Sequence, residues 1–562
     1  MRRKIAIGLQ LLLVVAFGFY FWINQAVYGL ALTDDGEVLG MAWRVSNGQL
    51  PHTDFYSIRP AGFSYIHAPF TRLETGMLAY DRLFVVFQFC ATAYFTLAAL
   101  LQKQRVVNGL TAIFTVTAFM LNVNSWPILA WHTIDGLFLA SFALFLASRS
   151  LKQSKYNTYL FAITWLIAGA TVLMKQGFLL FLAILAGYYL AIGLRRAIFF
   201  IPFSMVPIGA YLWLSKEASP STLTQISIGS SSPIEFLIPL GVFLFEFKEP
   251  LFVVFFVLTL LSTSMSIRGL KSKENHSKAF SLFRTLLPFA LILVMANLQM
   301  FSMSDGWIHI AIINATLMLF FFRDDQKDIW MIIAMLSLAY LISISRGVPS
   351  PSLLAGTFLV AAFSKSIFIY SRNSRPLKSY VVLLLSAIFC LLTFFTTNAA
   401  RSNFVYQEAP RDLLKYQLPI DTLKHIRMSE RSAKYLSVIS ECISKYPASR
   451  TAILPDGPGV YPIFKLQNPF PNDWFYNLEL DPTGKGEGML IHEKNIKKVI
   501  SELNQSNSWL VLNQSRPFSE YTAKNVYDSG KHFYYSDIDS MIFSELQGIP
   551  VKCGSLTGLY KP

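Results

Sequence analysis

The sequence predicts a mainly α protein: a polytopic transmembrane helix bundle of about thirteen spans, with a C-terminal extracytoplasmic α/β domain. Three observations carry that prediction. Apolar runs of bilayer length recur along most of the chain, basic residues cluster in every second link between them, and the composition turns polar near residue 398. Of 562 residues, 53% are hydrophobic, only 14% are charged and 48 are Phe, and the mean hydropathy is +0.44. Soluble domains carry about a quarter charged residues, so most of this chain belongs in lipid.

The first apolar run, 5–32, follows Met1-Arg2-Arg3-Lys4. A cleavable signal starts in the same way, but this run is long and many more follow it, so it reads as a retained first span. Further runs of spanning length lie at about 80–101, 106–125, 133–149, 157–174, 177–194, 197–214, 249–267, 283–302, 307–322, 329–345, 353–370 and 380–397. Arg2/Arg3/Lys4, Lys103/Arg105, Arg149/Lys152/Lys155, Arg195/Arg196, Arg268/Lys271/Lys273/Lys278, Arg323/Lys327 and Arg372/Arg375/Lys378 occupy alternate links. That is the positive-inside pattern with a cytoplasmic N-terminus. An odd number of spans then sends everything after about residue 397 outward. The chain divides into a transmembrane module, 1–397, with a first external loop at 33–80, and an extracytoplasmic α/β domain, 398–562. In that domain helical periodicity runs over Ser429–Tyr446 and Ile491–Leu503, with β-like stretches at 451–454 and 509–512. The segment 216–248, rich in Ser, Gly and Pro at its centre, reads as a flexible external loop.

The net charge of +15 falls in short links rather than along a soluble face interleaved with aromatics, which argues against a nucleic-acid partner. Cys90 and Cys390 sit in apolar runs. Cys442 and Cys553 both lie in the polar domain and could bridge if that domain is outside the cytoplasm. His425, His492 and His532 of the same domain read as surface residues.

The links that face outward hold the chemistry-bearing groups. Thr33-Asp34-Asp35-Gly36-Glu37 follows the first span directly. Carboxylates at a membrane exit are costly to bury unpaired, so they are expected to meet water, a metal or a substrate. Arg59 lies further along the same extended loop. Lys175-Gln176 interrupts two apolar runs, and Asp305 and His309 are spaced to share one helix face. His132 ends the second outward loop, and Asp135 lies inside the following span, where a carboxylate is a functional candidate by default. Each has a plain alternative: an acidic solvated loop, a snorkelling lysine, a hydrogen-bonded helix end. Hard oxygen ligands would suit magnesium or manganese. A divalent metal held by Asp34 or Asp35 with Asp135 or His132 is chemically admissible, although no ligand spacing supports it and no cofactor is otherwise indicated.

The acidic pair after the first span, Arg44, Gly48-Gln49-Leu50-Pro51, Asp54-Phe55, Pro60-Ala61-Gly62 and Tyr65 together resemble the C-type (GT-C) membrane glycosyltransferases. The resemblance is to the bacterial branch related to protein O-mannosyltransferases and to transferases that decorate lipopolysaccharide. Lys175-Gln176, Ser304-Asp305 with His309, and Leu454-Pro455-Asp456-Gly457-Pro458 with Tyr461 are similar to later signatures of that branch. Ser304 stands where an Arg is common, so a phosphate role carried by that Arg does not transfer. The resemblance implies a protein of the bacterial inner membrane that takes a polyprenyl-phosphate sugar as donor and a glycan, lipid or protein hydroxyl as acceptor, with inversion. Asp34 or Asp35 would be the base. Arg59, Lys175 and His309 would meet the donor phosphate, with Glu37, His132, Asp135, Gln176 and Asp305 in support. Rival readings are a transporter or flippase of lipid-linked saccharides, an O-antigen polymerase or ligase, and a scaffold displaying the outer domain. A carrier would place ionisable groups near mid-membrane, whereas this sequence gathers them at one face.

Overall fold

In the computed structural model the described residues are 2–101, 110–124, 126–150, 157–215, 219–228, 238–271, 278–299, 306–343, 351–373, 379–475, 487–514 and 538–562. A helix coincides with each predicted apolar run. Among the described residues, 8 helices are long and apolar enough to cross a membrane, from Gly8–Ala26 to Tyr380–Asn403. Shorter apolar helices at Leu110–Asn122, Thr158–Val172, Gln176–Ala191 and Gly306–Phe321 pack among them. One buried core runs through this bundle, built from Phe, Leu, Ile and Ala side chains of nearly every helix. Lipid-facing positions keep large apolar side chains exposed, as at Leu12, Leu261 and Phe395, which a bilayer tolerates and water does not.

The first loop is not extended. It folds into two helices, Asp34–Ser46 and Gly62–Thr71, that pack on one another. The first of these has Asp34, Asp35 and Glu37 in its opening turn and Arg44 in its last, a charge order that complements the helix dipole. The segment 216–248 is likewise helical over Ser219–Ile228 and Ile238–Glu246; its central 229–237 stretch lies outside the described residues. The buried His52 ring ties the first loop to this region, with Nδ1 2.9 Å from Gln225 Oε1 and Nε2 2.7 Å from Tyr211 Oη.

The C-terminal region forms a four-stranded sheet in the order β1-β2-β4-β3, with β1 Arg450–Leu454, β2 Trp509–Gln514, β3 Ile549–Cys553 and β4 Leu556–Lys561. Strands β1 and β2 are parallel and the remaining pairings antiparallel. Helices Glu430–Lys445 and Glu487–Gln505 flank it. A disulfide joins Cys442 to Cys553, with Cα atoms 5.6 Å apart. His492 is buried rather than on the surface, its ring 4.1 Å from that of Tyr56 and its Nδ1 3.0 Å from Asn472 Oδ1; His425 is exposed and His532 lies outside the described residues.

This domain is seated on the first-loop helices. Arg44 makes a two-pronged ion pair with Asp473, at 2.7 and 2.8 Å, and donates to Phe470 O at 2.6 Å. Gly459 N donates to Leu32 O at 2.9 Å, and a Cβ on Gly36 would lie 2.3 Å from the Gly459 nitrogen. Two backbones meet there with no room for a side chain on Gly36 and little on Gly459. Leu30, Leu32, Val38, Leu39 and Phe63 share one apolar core with Leu436, Val460, Tyr461, Leu510 and Leu512.

Candidate active site

The opening turn of helix Asp34–Ser46 sends its carboxylates in different directions. At about 100° per residue, Glu37 lies roughly 60° to one side of Asp34 and Asp35 about 100° to the other, so Asp35 and Glu37 point to nearly opposite faces. Asp35 is buried. Its Oδ2 accepts from Arg82 Nη2 at 2.9 Å and its Oδ1 from the Ala130 amide at 3.0 Å. Burial pushes its carboxyl above the ordinary value, and the Arg82 guanidinium opposes that shift. With both oxygens held by cation and amide, Asp35 is a strut between helices, not the water-facing group expected of it.

Glu37 is also buried and accepts from Arg59 Nη1 at 2.6 Å. The chain then brings a second cation to Arg59. Gly62 N donates to Leu173 O at 2.8 Å, and Gln176 Nε2 donates to Ile58 O at 3.2 Å. A Cβ on Gly62 would sit 2.6 Å from Leu173 O, so the glycine lets the 173–176 turn lie against the Arg59 segment. Lys175, extended at φ −159° and ψ 136°, then lies with Arg59 close enough to His132 for both to act on that ring electrostatically. His132 is buried between Trp131, at 4.8 Å, and Phe63, at 5.9 Å. Glu37, Arg59, His132, Lys175 and Gln176 are thus gathered at the loop-bearing end of the bundle.

Asp34, half-buried, lies between the two faces. Its Oδ2 accepts from Gln407 Nε2 at 2.7 Å and from the Tyr406 hydroxyl. Both donors reach the same oxygen, Oδ2.

Asp135 takes a different part. It is fully buried, accepting from Gln88 Nε2 at 2.7 Å, and His67 Nε2 lies 3.3 Å from each of its oxygens. The other His67 nitrogen is 2.6 Å from Asp81 Oδ1. His67 is held well above the ordinary imidazole value by Asp81 and Asp135, against the effect of its burial. The charged triad joins helices Gly62–Thr71, Met77–Leu100 and His132–Ser150. His309 is buried with its ring 5.3 Å from Phe243; among the described residues neither of its nitrogens is hydrogen-bonded and no ion pair links it to Arg59 or Lys175. Asp305 lies outside the described residues.

The carboxylates considered for a divalent metal are not drawn together in the structure. Asp34, Asp35 and Asp135 are each committed to different donors, and among the described residues no three of His, Cys, Asp and Glu converge as a ligand set. Sequence reasoning passed over Arg82, His67, Asp81, Tyr406, Gln407 and the Arg44–Asp473 pair. Asp81-Arg82 at the start of an apolar run carried a usable signal, since ionisable groups there demand partners. Tyr406 and Gln407 carried none.

No protein-family profile and no curated protein matches the sequence. Similarity appears in solved structures. The fold is similar to that of ArnT from Cupriavidus metallidurans in the apo state, at 10% identity and a TM-score of 0.51, covering 99% of this chain and 98% of that one. ArnT bound to undecaprenyl phosphate matches at 11% identity and a TM-score of 0.48, over 98% of this chain and 97% of that one. An oligosaccharyltransferase from Archaeoglobus fulgidus, in complex with zinc and sulfate, matches at 12% identity and 0.44, over 89% of this chain and 68% of that one. The near-complete overlap with apo ArnT is a likeness of fold. Over almost its whole length this integral membrane protein has the fold of ArnT.

Proposed function

We propose that the protein transfers a sugar from a polyprenyl-phosphate donor to an acceptor hydroxyl on the extracytoplasmic side of the membrane, with inversion. The observation that carries this reading is that Asp34 shares the opening turn of one helix with Glu37, whose carboxylate holds Arg59 near His132 and Lys175, at one end of the bundle and beneath a docked outer domain. In this reading Arg59 and Lys175 receive the donor phosphate, and Glu37 holds the Arg59 guanidinium in place. Asp34 takes the proton of the acceptor hydroxyl as its oxygen forms a bond to the anomeric carbon. The carbon–oxygen bond to phosphate breaks with its electron pair staying on the phosphate, where the two cations stabilise the charge. ArnT has been captured with undecaprenyl phosphate, the same class of lipid carrier. The disulfide supports the extracytoplasmic side, since such bonds persist in oxidising compartments.

Asp34→Asn keeps the side chain's shape and removes its basicity. Transfer, read as polyprenyl phosphate released from a labelled polyprenyl-phosphate sugar by the detergent-purified protein, is expected to fall by at least about a hundredfold. Lipid binding and expression should be unchanged. Full activity would remove Asp34 from the reaction, and no release by the unaltered protein would favour the carrier reading.

A further inference from the structure

On the Asp35 side of the same helix lies a second concentration of positive charge, with no part in the donor cluster. Arg82 and Arg411 are each close enough to Arg401 to act on it electrostatically, and Arg82 and Arg401 line a small cavity with Tyr28, Trp126 and Tyr406. Arg82 is neutralised by Asp35. Among the described residues neither Arg401 nor Arg411 has a carboxylate within ion-pair distance. Arg401 donates from Nη1 to Trp126 O at 2.8 Å and Val123 O at 3.2 Å, while its buried Nε has no hydrogen-bond partner among the described residues. Arg411 reaches Asn24 O and Asn398 Oδ1 only at 3.3 Å each. Other carboxylates nearby are turned elsewhere: Asp34 to Tyr406 and Gln407, Glu408 to Ser432.

Like charges gathered with a buried, unused donor are costly unless an anion completes them. Guanidinium groups offer forked donors that match phosphate oxygens. The position of the cluster indicates where such an anion comes from. It sits where helices Gly8–Ala26 and Tyr380–Asn403 reach the loop-bearing end of the bundle, and those two helices carry exposed apolar side chains at Tyr20, Ile23 and Phe395. Acyl chains can lie along those side chains while a headgroup meets the arginines.

We propose that Arg401, which borders the small cavity, and Arg411, held one turn from it at Asn398, form a second anion subsite that takes the phosphomonoester headgroup of a membrane lipid. The site is independent of the transfer reaction proposed above.

Binding tests it with the full-length protein in phosphatidylcholine nanodiscs. Phosphatidic acid, which presents a phosphomonoester on two acyl chains, is titrated against the protein, with inorganic phosphate as the parallel arm. Replacing both arginines, Arg401→Gln with Arg411→Gln, should weaken phosphatidic acid binding by about tenfold or more. Arg411→Gln alone leaves the Arg401 carbonyl contacts intact and should weaken it several-fold, which keeps the test open if the double variant folds poorly. The lysine pair, Arg401→Lys with Arg411→Lys, should recover part of the loss. Unchanged phosphatidic acid affinity in Arg411→Gln and in a folded double variant would overturn the site. Equal affinity for inorganic phosphate and phosphatidic acid would overturn the lipid assignment. Loss of transfer in Asp34→Asn with lipid binding intact would leave this subsite standing on its own evidence.

Discussion

Asp34 and Asp35 are neighbours in sequence with opposite fates. Successive residues of a helix point about 100° apart, so one turns toward Tyr406 and Gln407 and the other into the bundle, against Arg82. Asp35 and Arg82 are each only 3% exposed at their side chains, and a buried ion pair becomes a liability once one partner is lost. Arg82→Met would strand the Asp35 charge. It is expected to cost about 3–5 kcal/mol, seen as a much lower midpoint in thermal unfolding of the detergent-solubilised protein. A midpoint within a degree or two of the unaltered protein would show that Asp35 has another partner. The acidic motif was legible from sequence as a cluster that demands partners, but which carboxylate receives which partner was not. Arg82 is 47 residues from Asp35 and Gln407 is 373 residues from Asp34, and no local pattern encodes contacts at such separation.

Among the elements, the helix Asp34–Ser46 links bundle, site and outer domain. Its acidic start and basic end are readable from sequence, yet the segment was expected to be extended because it is too polar to span a bilayer. It folds as a helix because the docked domain and helix Gly62–Thr71 bury one side of it, and Arg44 is anchored to Asp473 and Phe470 O. Gly36 is the contact point. A side chain there would collide with the Gly459 backbone, which cannot move away as a flexible side chain could. Gly36→Val is expected to destabilise the docked arrangement by about 1–3 kcal/mol. Limited proteolysis should then cut more readily between the bundle and the domain, and an unchanged digestion pattern would show that the two surfaces part easily. Strands β3 and β4 were missed for a related reason. They form a short hairpin at the sheet edge, with mixed exposure along β3, so alternation over so few residues gives no clear period.

For the molecule as a whole, the disulfide spans a sequence separation of 111 residues. Closing a loop of that order removes roughly 4–5 kcal/mol of unfolded-chain entropy in the simplest account. Reduction under native conditions should lower the unfolding midpoint of the outer domain while leaving the helical content of the bundle unchanged by circular dichroism. Equal midpoints with and without reductant would make the bridge dispensable.

By itself the sequence determined that this is a helical membrane protein with a polar α/β domain after its last span. Bilayer length, helix rise and the placement of basic links are local quantities, and each can be read from a window of about twenty residues. The resemblance in the first loop also pointed to the fold family that the overlap with ArnT bears out. Tertiary structure alone decided which ionisable groups meet. It drew Arg59, Lys175 and His132 to one face of the first-loop helix and gathered Arg82, Arg401 and Arg411 on another, and it seated the outer domain over Gly36. Those outcomes depend on how helices far apart in the chain pack in three dimensions, and burial then forces each charge to find a partner among whatever that packing brings near.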